Sequence, residues 1–150
     1  MTLPTHILLG AIIGKVTGNY SLAIGASIVP DFDHMGSYLK SGVLKKSRIF
    51  WKTITDTEDP YGNQRGMLHN ILFFIFLSII LFTLIPKFAI VLVLGWLGHI
   101  VLDMLDQSDY WPFYPSKKIN IKGIIKYASI QEAILFLFLL FVYVILLIWF

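Results

Sequence analysis

Ala133 to Phe150 is a run of eighteen residues with no charge, no proline and no glycine. At ~1.5 Å per residue, a helix of that length reaches about 27 Å, close to the ~30 Å hydrocarbon core of a bilayer. The run predicts a transmembrane helix. Phe88 to Leu105 is a second stretch of eighteen, in which His99 and Asp103 are the only ionisable residues. Ile71 to Ile85 adds fifteen uncharged residues, separated from that stretch by Pro86-Lys87. So short a connection predicts an antiparallel helical hairpin. Of the 150 residues, 57% are hydrophobic and 14% charged, against ~45–50% and ~25% in a typical soluble domain. A globule this small has too much surface per volume to hide that excess. Soluble and disordered classes are excluded, and the absence of cysteine excludes a disulfide scaffold. The fold class expected is an all-α integral membrane protein, with residues 1–150 forming a single membrane-embedded domain.

The opening segment reads differently. Met1 to His6 has no basic region and Lys15 interrupts the first apolar run, so a removable signal peptide is not expected. One continuous crossing would bury Lys15 and Asn19 near mid-membrane, which is costly. Two helices of about ten residues folding back at Gly18-Asn19 avoid that cost, and at ~15 Å each is too short to span. The expectation is a re-entrant N-terminal helical hairpin, then the transmembrane hairpin, then the C-terminal transmembrane helix ending at Phe150.

This topology gathers the polar residues. It puts His6 at the same end as Asp31 to His34, and His69 at the same end as His99 and Asp103. The loops at that end carry Lys40, Lys45, Lys46, Arg48, Lys52 and Arg65, then Lys117, Lys118, Lys122 and Lys126. The positive-inside rule places them in the cytoplasm. Val43 to Ile54 alternates basic residues with Ile49, Phe50 and Trp51, the pattern of an interfacial helix on anionic lipid, and Ile119 to Ile130 is similarly mixed.

His99 and Asp103, four apart, share one helix face inside an apolar span, where ionisable residues are expensive and usually functional. Asp31, Asp33 and His34 follow Pro30 at a helix exit, where an ordinary polar turn is the competing reading. His69 and His6 gain meaning only through the shared face. Imidazole plus carboxylate without thiolate suits zinc, manganese or iron in a catalytic site, with ligands enough for two or more ions. Such a centre brings bound water to a pKa of about 7 and neutralises a phosphate under attack. Asp33 or Asp106 would hold an imidazole or act as base, and Arg65 would take two phosphate oxygens.

At these residues the chain resembles the LexA-regulated, inner-membrane, metal-dependent hydrolases (YdjM-like). The matching pieces are Pro4-Thr5-His6, Pro30-Asp31-Phe32-Asp33-His34, Arg65-Gly66-Met67-Leu68-His69, and His99-Ile100-Val101-Leu102-Asp103 followed by Trp111-Pro112. That family is similar in turn to zinc-dependent phospholipase C and single-strand nucleases, helical proteins with multinuclear zinc sites. The resemblance implies a phosphoester hydrolase with His6, Asp31, His34, His69, His99 and Asp103 as metal ligands. Two departures bear on the metal count. Gln64 stands where the family has a histidine, and Leu68-His69-Asn70 replaces Thr-His-Ser. Glu132 is a further carboxylate, either a replacement ligand or a helix-start residue favoured by the macrodipole.

The expected activity is hydrolysis of a phospholipid or another phosphoester at the cytoplasmic face of the inner membrane, with no specific nucleic-acid binding. The alternatives are a non-catalytic membrane adaptor with structural histidines and a divalent-metal transporter. The transporter is disfavoured because the polar residues cluster at one end instead of tracing a path across the bilayer.

Overall fold

The computed structural model describes residues 1–55 and 65–149. Gln64 and Phe150 lie outside the described residues. The described part is helical, with isolated bridges but no strand. Seven α-helices run in chain order: α1 (Leu3–Thr17), α2 (Tyr20–Ile28), α3 (Phe32–Ser41), α4 (Ser47–Thr55), α5 (Ile71–Leu84), α6 (Pro86–Leu105) and α7 (Ile130–Trp149). Short 3₁₀ turns at Val29–Asp31, Val43–Lys45 and Met67–His69 join some of them.

The N-terminal pair breaks at Gly18, which takes φ +74°, and Asn19 caps α2 by accepting from Leu22 N at 3.1 Å. Left-handed φ favours glycine, and Asn is a strong N-cap. Gly14 lies against Tyr20, and Gly10 against Ile24 and Ser27, so α1 and α2 run antiparallel in close contact. α5 and α6 reverse at Ile85, with Pro86 as the first residue of α6, where its missing N–H costs nothing. Trp96 of α6 packs on Phe73 and Phe74 of α5.

α2 and α6 touch through Gly95. A Cβ there would lie 2.7 Å from Ala23 O and 2.8 Å from the Ala26 Cβ. Small residues let backbones approach in this way inside membranes, where packing rather than water exclusion drives helix association. α6 and α7, at twenty residues each, are long and apolar enough to cross a membrane, while α1 and α5 are shorter apolar helices. α7 packs along α1 and exposes Leu137, Phe138 and Phe141 on its outer side. Its first turn is held by Glu132, which is buried and accepts Thr5 Oγ1 (3.0 Å), Thr2 N and Ala128 N (2.7 Å). Glu132 therefore ties α7 to the start of α1, the helix-start role rather than a ligand's.

Both loops reach the end of the bundle that holds the α1 N-terminus and the α6 C-terminus. Val43 to Thr55 forms a 3₁₀ turn and α4. Ile119 to Ser129 does not form a helix, although its pattern resembles that of Val43 to Ile54. Its backbone pairs instead with residues after α6: Gly123 N donates to Asp106 O (2.8 Å), Ile125 N to Leu105 O (2.9 Å), and Tyr110 and Ile121 exchange both bonds. Gly123 lies so close to the Leu105 carbonyl that no side chain fits there.

Replacing Gly95 by Leu should destabilise the protein by about 1–3 kcal/mol through overpacking. Gly25→Ala, whose Cβ meets nothing within 4 Å, should not. Thermal unfolding in mild detergent checks both.

Candidate metal centre

The close approach at Gly95 sets up the site one turn further along α6. It carries the end of α2 to His99, whose Nδ1 lies 2.8 Å from the Ser27 carbonyl. The last carbonyls of a helix have no intrahelical partner, so Ser27 O is available. A carbonyl only accepts, so the His99 proton sits on Nδ1 and Nε2 presents a lone pair.

His69 is oriented from the other side. The Met67–His69 turn is pinned by Trp96 Nε1 donating to Leu68 O (2.8 Å), by Tyr110 Oη donating to His69 O (2.6 Å), and by Leu68 N donating to Asp33 Oδ2 (2.7 Å). The same Asp33 oxygen lies 3.2 Å from His69 Nδ1. A carboxylate takes that ring's proton on Nδ1 and turns Nε2 inward.

The two Nε2 atoms meet at 3.1 Å. Asp103 Oδ2 lies 3.3 Å from the first and 3.7 Å from the second. Three potential ligand atoms thus converge on one point in a buried setting, where a proton on His69 Nε2 or a metal cation relieves the crowding. Around this point the ligand atoms fall into three overlapping groups, each within 4.8 Å: His69, His99 and Asp103; Asp31, His34 and His69; and His6, Asp31 and His99. These buried clusters, which share Asp31, His69 and His99, could hold a metal ion.

His6 tests the fit. Its ring is fully buried and stacks on His99 at 3.9 Å. Among the described residues neither ring nitrogen has a hydrogen-bond partner, and neither does His34 Nδ1. Burying an unpaired polar atom costs about 1–3 kcal/mol. His6 Nε2 faces Asp103 Oδ1 at 3.4 Å, and His34 Nε2 faces Asp31 Oδ1 at 3.4 Å. A ligated cation would satisfy His6 Nε2 and relieve the crowding at the centre, so the residues fit a divalent metal.

The six expected ligands therefore come together, and the three other expected residues border them. Asp33 holds the His69 ring. Arg65 donates through Nε to Asp103 Oδ2 (2.8 Å) and through Nη1 to the carbonyls of Asp109 (2.8 Å) and Ser108 (3.3 Å). Two arms of its fork are thus engaged with the protein. Burial opposes its charge, but Asp103 and Asp106 outweigh it and raise its pKa. Asp106 touches no imidazole. It accepts from the Met1 ammonium (2.7 Å) and from Ser108 N and Oγ (2.8 Å each). Burial pushes its pKa up, but the ammonium and Arg65 hold it below the usual range. The Met1 ammonium also lies 3.1 Å from Asp103 Oδ1.

The family model of the YdjM inner membrane protein matches residues 1–150. The chain belongs to that family. No curated protein and no solved structure matches it. Membership of the YdjM family makes this an inner membrane protein, with its buried His/Asp clusters at one end of the helices.

Three parts of this YdjM-family centre escape sequence reasoning. The Ser27 carbonyl carries no signal, because every residue has one. Tyr110 lies 41 residues from His69, whose carbonyl it holds. Trp96 lies one turn before His99 on the same helix and is the one that spacing could have found.

His99→Ala and His69→Ala should each abolish metal retention in protein purified without chelator, measured by elemental mass spectrometry. Asp33→Asn keeps every ligand and weakens the hold on the His69 ring and its turn, so metal affinity should fall by about 10–100-fold, measured by competition with a chromogenic chelator.

Proposed function

We propose that this protein is a metal-dependent hydrolase of phosphoesters borne by membrane lipids, with its centre on the cytoplasmic face of the inner membrane. The observation that carries the reading is the pair of inward-turned Nε2 atoms, His69 and His99, beside the unpartnered His6. Zinc is the metal that best suits imidazole and carboxylate donors, with manganese or iron as close competitors. The same lack of thiolate argues for a catalytic rather than a structural ion. Orientation rests on charge: ten of the twelve Lys and Arg residues lie in the loops at the centre's end, and Lys15 and Lys87 lie at the other.

A divalent ion in this site would activate water and draw charge from the phosphate. The chain's own residues do the rest. Asp33 and the Ser27 carbonyl keep His69 and His99 in the tautomers that ligate. Arg65 keeps Asp103 charged and fixed in place. Asp31 has the most open carboxylate of the cluster, with its side chain 28% exposed against 15% for Asp33 and 2% for Asp103 and Asp106. It lines a cavity of about 420 Å³ beside the centre. That exposure supports Asp31 as the acceptor of a hydrogen bond from the attacking water, a role Asp106 is poorly suited to while its oxygens face the Met1 ammonium and Ser108.

Protein in nanodiscs, loaded with zinc, should release phosphorus-containing headgroup from phospholipid. Chelator should stop the release, and Asp31→Asn should lower turnover by about 100-fold or more. Metal retained with no turnover on any phosphoester would make the centre structural and favour an adaptor.

A further inference from the structure

Beside the polar cluster, much of the cavity lining is apolar. Asp31, His34, Arg65 and Asp103 form the floor, and Leu3, Ile28, Phe32, Met35, Leu44 and Phe50 form the wall. Four of those wall residues also face outward: Leu3 is 48% exposed, Phe32 64%, Met35 45% and Leu44 42%. The rim of the cavity is therefore continuous with the outer apolar surface. On a soluble protein such a rim would be a liability, whereas at a bilayer interface it meets acyl chains.

The segment that gives this wall Met35, Leu44 and Phe50 also carries a charge signature. From His34 to Thr55 there are five basic residues, Lys40, Lys45, Lys46, Arg48 and Lys52, and no Asp or Glu. Lys45, Lys46 and Arg48 flank Leu44 and are exposed. Trp51 of α4 is exposed as well, as interfacial tryptophans are. Basic residues near an anionic leaflet each add about 1 kcal/mol of attraction. An apolar rim edged with cations complements one kind of molecule, an anionic amphiphile already in the bilayer.

We propose that the cavity takes its ligand sideways from the leaflet, through a portal formed by Leu3, Phe32, Met35 and Leu44. The occupant is an anionic lipid bearing a phosphate: the headgroup lies on the polar floor and the first part of one chain lies along the apolar wall. The volume of about 420 Å³ is near the lower end of the ~300–1,000 Å³ common for ligand sites. It suits a headgroup and part of one chain, while the rest of the lipid stays in the membrane. The inference rests on the reading of the floor as a phosphoester site, but docking does not require turnover.

The test uses the full chain in nanodiscs of zwitterionic lipid doped with phosphatidic acid whose acyl chain carries a diazirine near the headgroup. After irradiation, peptide mapping should show labelling concentrated at Phe32, Met35 and Leu44, above that on the lipid-exposed face of α7. Excess unlabelled phosphatidic acid should suppress it, and inorganic phosphate should not. Leu44→Glu should cut the rim labelling about tenfold. Met35→Glu should do the same, and retained metal content in either variant shows that the fold survives. Labelling spread evenly over α7 and the rim, or unchanged in both variants, overturns the portal. Turnover of the same lipid is scored separately. Labelling without turnover supports the docking and sinks only the catalytic reading, whereas turnover without rim labelling overturns the docking alone.

Discussion

His69 and His99 turn their Nε2 atoms toward each other because each ring is held by its other nitrogen. Asp33 holds one and the Ser27 carbonyl holds the other. Neither ring can escape the crowding by flipping without giving up that bond, and both are buried, so water does not relieve it. The need for a positive charge among the rings is built into the packing. Arg65 and the Met1 ammonium meet part of it through Asp103: Arg65 shares Oδ2 with His69 and His99, and the ammonium shares Oδ1 with His6.

The rest of the fold can be understood as keeping that cluster together in an apolar bundle. Ionisable groups in a membrane are tolerated where they pair with one another. Here they do so where five helix ends converge: the starts of α1, α5 and α7, and the ends of α2 and α6. Gly10 and Gly95 bring the backbones close enough for this convergence. Glu132 anchors α7 to the same end through Thr5. The Asp106 to Ser129 segment then closes over α6 by backbone pairing, which supplies Tyr110 to the His69 turn and the Ser108 and Asp109 carbonyls to Arg65. The start of α3 joins these helix ends and lines the cavity with both kinds of residue, Asp31 and His34 beside Phe32 and Met35.

Much of this was legible in the residues themselves. Apolar run lengths marked α5, α6 and α7 to within a few residues, with α7 starting three residues before Ala133 because Ser129 and Glu132 shape its first turn. Gly18-Asn19 marked the break between α1 and α2. The i,i+4 spacing placed His99 and Asp103 on one face. The pattern failed at Ile119 to Ile130, where mixed apolar and basic residues read the same in an interfacial helix and in a loop. Gly123 against Leu105, a contact between distant residues, decides in favour of the loop. The clamp expected of Arg65 met the same difficulty, since a guanidinium advertises its charge but not which carboxylate it will face.

The sequence by itself determined that the chain is helical and belongs in a membrane, because run length and apolar content are local properties and a small globule cannot hide them. It also determined which residues carry imidazole and carboxylate, and the turns at Gly18 and Pro86 determined which ends they share. Only the tertiary structure decided the tautomers, the isolation of His6, the partners of Arg65 and the apolar wall beside the polar floor. Each of these depends on a distance between atoms far apart in the chain, set by how closely α1, α2 and α6 pack, and no local pattern encodes such a distance.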